Sequence, residues 1–63
     1  MLFKVTIFKT VSGMEDTTYI HADDKESADY WAESQADSYG CDHYNCKPAF
    51  SNEIPKDAVV VYT

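Results

Sequence analysis

An α+β fold is predicted for this 63-residue chain: a three-stranded antiparallel sheet, ordered β-β-α-loop-β, with one helix packed on one face. Three observations predict it. Residues 2–10, LFKVTIFKT, alternate with period two. Residues 24–39 repeat apolar side chains at helical spacing. Residues 58–62, AVVVY, run without a polar interruption. So short a chain makes a single domain, 1–63, with a thin core that gains from a partner, a dimer or a staple.

In the first strand, Phe3, Val5 and Ile7 point one way and Leu2, Lys4, Thr6 and Phe8 the other. Residues 11–16, with Ser12-Gly13, read as a hairpin turn or short loop. Residues 17–22, TTYIHA, are β-branched and aromatic. They form a second strand, antiparallel to the first because the connection is short, with Thr18, Ile20 and Ala22 on one face.

Asp23 is the expected N-cap, with Glu26 completing a capping box. The helix is predicted from Asp24 to Tyr39, with Gly40 as the residue that ends it. Ala28, Trp31, Ala32, Gln35, Ala36 and Tyr39 form its inner face, and Trp31 and Tyr39 are expected to supply most of the buried area. Residues 41–57 read as irregular, broken by Pro48 and Pro55, with a short extra strand around Lys47–Phe50 as an option. The apolar run 58–62 suits a strand buried on both faces, or one beside the first strand in mid-sheet.

Charge is distributed unevenly. The chain has eleven acids and five lysines with no arginine, a net charge of −6. Seven acids lie between residues 23 and 42 (Asp23, Asp24, Glu26, Asp29, Glu33, Asp37 and Asp42), opposed there by Lys25 alone. The remaining four acids are balanced by four lysines, so the whole net charge sits on the helix and its ends. This field disfavours direct binding of DNA or RNA. Glu26, Asp29, Glu33 and Asp37 follow at steps of three, four and four and make one stripe, with Tyr30 beside it. Capping and the helix dipole explain the acids at the start. Glu33 and Asp37 have no such explanation: neither has a lysine at i+4, and acids near a helix C-terminus oppose the dipole. The stripe is either a solvated face or an acidic contact surface for a protein with a basic groove.

The segment Cys41-Asp42-His43-Tyr44-Asn45-Cys46 gathers both cysteines and one of two histidines. Cys41, His43 and Cys46 are the only candidate metal ligands, and C-x-H-x-x-C lacks the fourth ligand of a structural zinc site. A redox pair would sit at a helix N-terminus, whereas these cysteines follow a C-terminus. The expectation is that one or both cysteines are small buried apolar groups in the turn after the helix, with no cofactor and with Asp42 extending the acidic end. No nucleophile elbow or phosphate loop occurs, and carboxylates on an exposed helix are solvated, so the chain is read as a non-enzyme. A second candidate surface is the sheet face opposite the helix. There Leu2, Phe8, Tyr19, Val60 and Tyr62 form a dimer face unless Phe50 and Ile54 fold over them.

In size and concentrated negative charge the whole chain resembles the small inhibitors that phages and mobile elements direct against host nucleic-acid machinery, anti-CRISPR proteins among them. The resemblance rests on no motif and carries over no family residue. It implies an inhibitor that occupies a basic nucleic-acid groove on a protein partner. The alternatives are an assembly protein that homodimerises through the open sheet face and a Cys/His metal-binding module. The opening MLFKVTIFKT has no apolar h-region, and no run approaches the ~20 apolar residues of a membrane span, so a soluble, cytoplasmic protein is expected.

Overall fold

The computed structural model describes all 63 residues. The chain is α+β, with one helix on a four-stranded mixed sheet: β1 (Leu2–Lys9), β2 (Met14–His21), α1 (Lys25–Ser38), β3 (His43–Pro48), a 3-10 turn (Ser51–Glu53) and β4 (Val60–Tyr62). The strand order is β3-β1-β2-β4. β1 pairs antiparallel with both β2 and β3, and β4 lies parallel to β2.

The alternation in β1 places Phe3, Val5 and Ile7 under the helix, each at most 4% exposed. Its antiparallel partner β2 adds Ile20, and Ala22 follows it into the core. Ala28, Ala32 and Ala36 form the seam of the helix, which lets its backbone approach the sheet. Trp31 is half-buried and packs against this core, as does Val61. Tyr39 does not: it is the C-cap, 59% exposed, one residue past the last helical turn. The largest fully buried side chains, Phe3, Ile20 and Val5, therefore all come from the strands.

Each end of the helix falls one residue inside its predicted limit. Asp24, not Asp23, is the N-cap, and its Oδ1 accepts from the Ser27 N–H at 2.8 Å. Both aspartates suit a cap chemically; the extended backbone of Asp24 (φ −153°, ψ 176°) aims its carboxylate at the third helical N–H. At the other end Gly40 has φ +69°. Gly40 N–H donates to Asp37 O at 3.1 Å, and Cys41 N–H to Ala36 O at 2.7 Å. This pair of bonds closes a Schellman motif and seats Cys41 half-buried against the core. A Cβ at Gly40 would meet only Lys9 Nζ, at 3.9 Å, so Gly40→Ala has room and fails on conformation alone. We expect G40A to cost about 1–2 kcal/mol in denaturant unfolding.

The sheet departs from three antiparallel strands because residues 43–48, expected to be irregular, pair with β1 along its free edge. This strand starts four residues before the option at Lys47–Phe50. With both edges of β1 occupied, β4 cannot lie beside it in mid-sheet. It takes the outer edge of β2, is only three residues long, and is half-buried at best, with Tyr62 77% exposed, as is Val59 just before the strand. Residues 49–59 carry the chain from one edge of the sheet to the other. On the way the Tyr19 hydroxyl, on the face opposite the helix, donates to Glu53 O at 3.4 Å.

Candidate functional site

The exposed side of α1 carries Glu26, Tyr30, Glu33 and Asp37, all open to solvent and Tyr30 74% exposed. On a helical projection these four fall within about 60° of one another, on the side away from the alanine seam and centred about 130° from it. Asp29 leaves the row. It lies on the flank facing β3, is half-buried, and is bound by Lys25 Nζ at 2.8 and 3.0 Å. Lys25–Asp29 is the sole lysine–carboxylate pair in the protein, so Glu26, Glu33 and Asp37 keep their charge uncompensated. The last helical turn carries no basic residue, and Lys9 of β1 brings its Nζ close to Gly40, just past that turn.

Asp42 stands apart from the stripe. Its Oδ1 accepts from Thr10 N–H at 2.9 Å, tying the chain after the helix to the turn between β1 and β2. His43 Nε2 lies 3.9 Å from its other oxygen. The backbone N–H of Thr10 holds the Asp42 carboxyl below the usual carboxylate range, and the Ser27 N–H does the same for Asp24. A carboxyl whose pKa is depressed by folding contributes stability above its unfolded value, about 3.9, and loses it as the pH falls through the lower folded value. Thermal melts should therefore show stability declining below about pH 4. Asp42→Ala and Asp24→Ala should each flatten that decline.

At the start of the helix an open groove of about 540 Å³ is lined by Asp24, Glu26, Ser27, Tyr30, Trp31 and Thr63. It combines two carboxylates with two aromatic rings, a setting suited to the alkyl stem and charged head of an arginine or lysine side chain. Trp31 and Thr63 were not among the sequence candidates. Trp31 reads as core by its spacing, and Thr63 reaches the groove only because β4 pairs beside β2, which no local pattern encodes.

The cysteine segment does not form a centre. Alternation along β3 buries Cys46 beneath the helix and sends His43 to the opposite face, where its ring lies 6.3 Å from that of Phe8. Cys41 is held in the helix-ending turn. No group of three metal-ligating side chains comes together, and both thiols are free. Burial pushes the Cys46 thiol up, away from the reactive thiolate.

Leu2, Phe8, Tyr19, Val60 and Tyr62 do share the face opposite the helix, as their registers require. Tyr19 is covered, 8% exposed, under the bond to Glu53, while Leu2, Phe8 and Val60 are half-buried. Tyr62 remains exposed and stacks on His21 at 4.7 Å. Ile54 is half-buried, and Phe50 is 74% exposed. The crossing segment thus covers part of the face around Tyr19 and leaves two aromatic rings open.

No protein-family model, curated protein or solved structure matches this chain.

Proposed function

We propose that this chain is a non-catalytic inhibitor of a nucleic-acid-handling protein or complex, a CRISPR–Cas effector being one such target, acting in the cytoplasm by placing its acidic helix in a basic nucleic-acid groove. The observation that carries the reading is the row Glu26, Glu33 and Asp37, exposed and free of any ion pair, around the exposed ring of Tyr30. Solubility alone is served as well by mixed charge, and local helix stability is better served by lysine at the last turn. An uncompensated row on one helix face instead presents Glu33 and Asp37 about 6 Å apart along the axis, comparable to the spacing of phosphates along an extended strand, with Glu26 roughly 10 Å before Glu33. Charge-assisted hydrogen bonds to guanidinium groups of a basic groove offset the desolvation of the carboxylates, and the complementary field speeds encounter. The groove beside Tyr30 and Trp31 takes one cationic side chain of the partner and sets the register of the helix.

The test is displacement. A fluorescent DNA or RNA bound to a candidate effector is titrated with the chain at low and at high salt. Release that weakens as salt rises, with no cleavage or modification of either component, is the expected result. Release that is indifferent to salt, or a ternary complex that keeps its nucleic acid, rules out occupation of the groove.

A further inference from the structure

The two edges of the sheet are unequal. β4 offers three residues, too few to template another strand. β3 offers six, five of them exposed, and nothing in the chain pairs with its outer side. Ala49 N–H donates to Leu2 O, which fixes the phase of the β1–β3 ladder: His43, Asn45 and Lys47 bond inward, and Tyr44 and Cys46 turn their N–H and C=O outward. Pro48 turns out a carbonyl but no N–H.

We infer that β3 is a homodimer edge, pairing antiparallel with β3 of a second copy about a two-fold axis through Asn45. This register gives the outward groups of Tyr44 and Cys46 reciprocal partners in Cys46 and Tyr44 of the second copy, four hydrogen bonds in all. The unmatched carbonyl of Pro48 meets the N–H of Asp42 of the second copy. Centring the axis one bonded pair toward Tyr44 shortens the strand overlap, and centring it toward Cys46 sets Tyr44 opposite Pro48 and wastes a donor. Charge permits the contact, which is not trivial for a chain of net charge −6. Tyr44, Asn45 and Cys46 are uncharged, Lys47 comes opposite His43, and no acid faces an acid. The helix flank above this edge is the Lys25–Asp29 pair, already neutralised, while Glu26, Glu33 and Asp37 lie away from it. The dimer is a continuous eight-stranded sheet, two four-stranded sheets joined at β3, with both helices on one face. It leaves both acidic rows free and does not use the face that bears Tyr62.

Sedimentation equilibrium and a disulfide trap test this. The parent is expected at twice its 7.1 kDa mass. Tyr44→Pro removes an outward donor without touching an intrachain bond and is expected to sediment as a monomer. Asn45→Cys, in a Cys41→Ser background, places two thiols across the axis, where facing Cα atoms of a non-bonded pair lie about 4.5 Å apart, within disulfide reach. It should crosslink at least tenfold faster than Asn52→Cys, which sits exposed on the 3-10 turn. A monomeric parent overturns the inference. So does a dimer in which Asn45→Cys crosslinks no faster than Asn52→Cys, since that places the contact elsewhere, whether or not Tyr44→Pro folds.

Discussion

Reversing Glu33 and Asp37 together, E33K/D37K, is expected to abolish displacement of nucleic acid from the target while raising the melting temperature of the free protein. The two effects have opposite signs for one physical reason. Lysine in the last turns of a helix complements the partial negative charge of the exposed carbonyls, about 0.3–1 kcal/mol per favourable site, and E33K turns the Asp29–Glu33 repulsion at i, i+4 into an attraction, while positions 33 and 37 remain a like-charged pair. Neither side chain touches the core or accepts an intrachain bond, so the fold gains and loses nothing else. Against a basic groove the same change turns two attractions into two repulsions. Like charges brought together in an interface cost several kcal/mol, and each 1.4 kcal/mol is tenfold, so inhibition should fall on the order of 100-fold or more. The paired measurement is thermal denaturation of the free chain and displacement at fixed salt. A double variant that is more stable and still inhibits would reduce the row to a solvated helix face. The single variant D29K is the internal control for position. Asp29 is already neutralised by Lys25, so its reversal should weaken inhibition far less.

How much of this was legible beforehand follows from burial. β1, β2 and the helix are each buried on one face, and burial on one face writes a period into a sequence: two in Phe3-Val5-Ile7, near 3.6 in Ala28-Ala32-Ala36. β3 buries only Cys46, so HYNCKP carries no alternation for a reader to find, and its strand character comes entirely from the bonds β1 offers it. β4 misleads in the opposite direction. AVVVY looks like a central strand, yet the run is apolar because Val61 packs on the core while Val60 lies on the far face, with the chain crossing the sheet to reach them. The acidic row was visible as spacing. That Asp29 belongs to the flank was not, because Lys25 lies four residues away at a spacing shared by many unpaired residues; the side-chain geometry decides it. Asp42 was grouped with the row by charge alone, and its bond to Thr10, 32 residues away, could be read from no local pattern.

The second large effect concerns what holds so small a fold together. Phe3→Ala is expected to unfold most of the protein at room temperature, whereas Tyr39→Ala is expected to change its stability by less than about 0.5 kcal/mol. Sequence spacing gives Tyr39 a large share of the buried area, since it falls on the inner face of the helix. The chain ends its helix at Ser38, however, and Gly40 turns sharply away, leaving Tyr39 59% exposed on the shoulder of the turn. Phe3 is fully buried between the alanine seam and the strands on either side, in a core with three large fully buried side chains, Phe3, Val5 and Ile20. Truncating a buried phenylalanine costs about 3–5 kcal/mol, the transfer loss plus the cavity left behind. At roughly 0.05–0.15 kcal/mol per residue, a domain this size has only about 3–9 kcal/mol in total. Alanines directly above the site have no flexible side chain to swing into the void, and their approach to the sheet is already close, so relaxation is limited. Urea denaturation followed by the fluorescence of the single tryptophan, Trp31, reports both variants, because that ring packs against the same core. Equal loss in the two would mean that the helix continues through Tyr39 and seats its ring against the sheet.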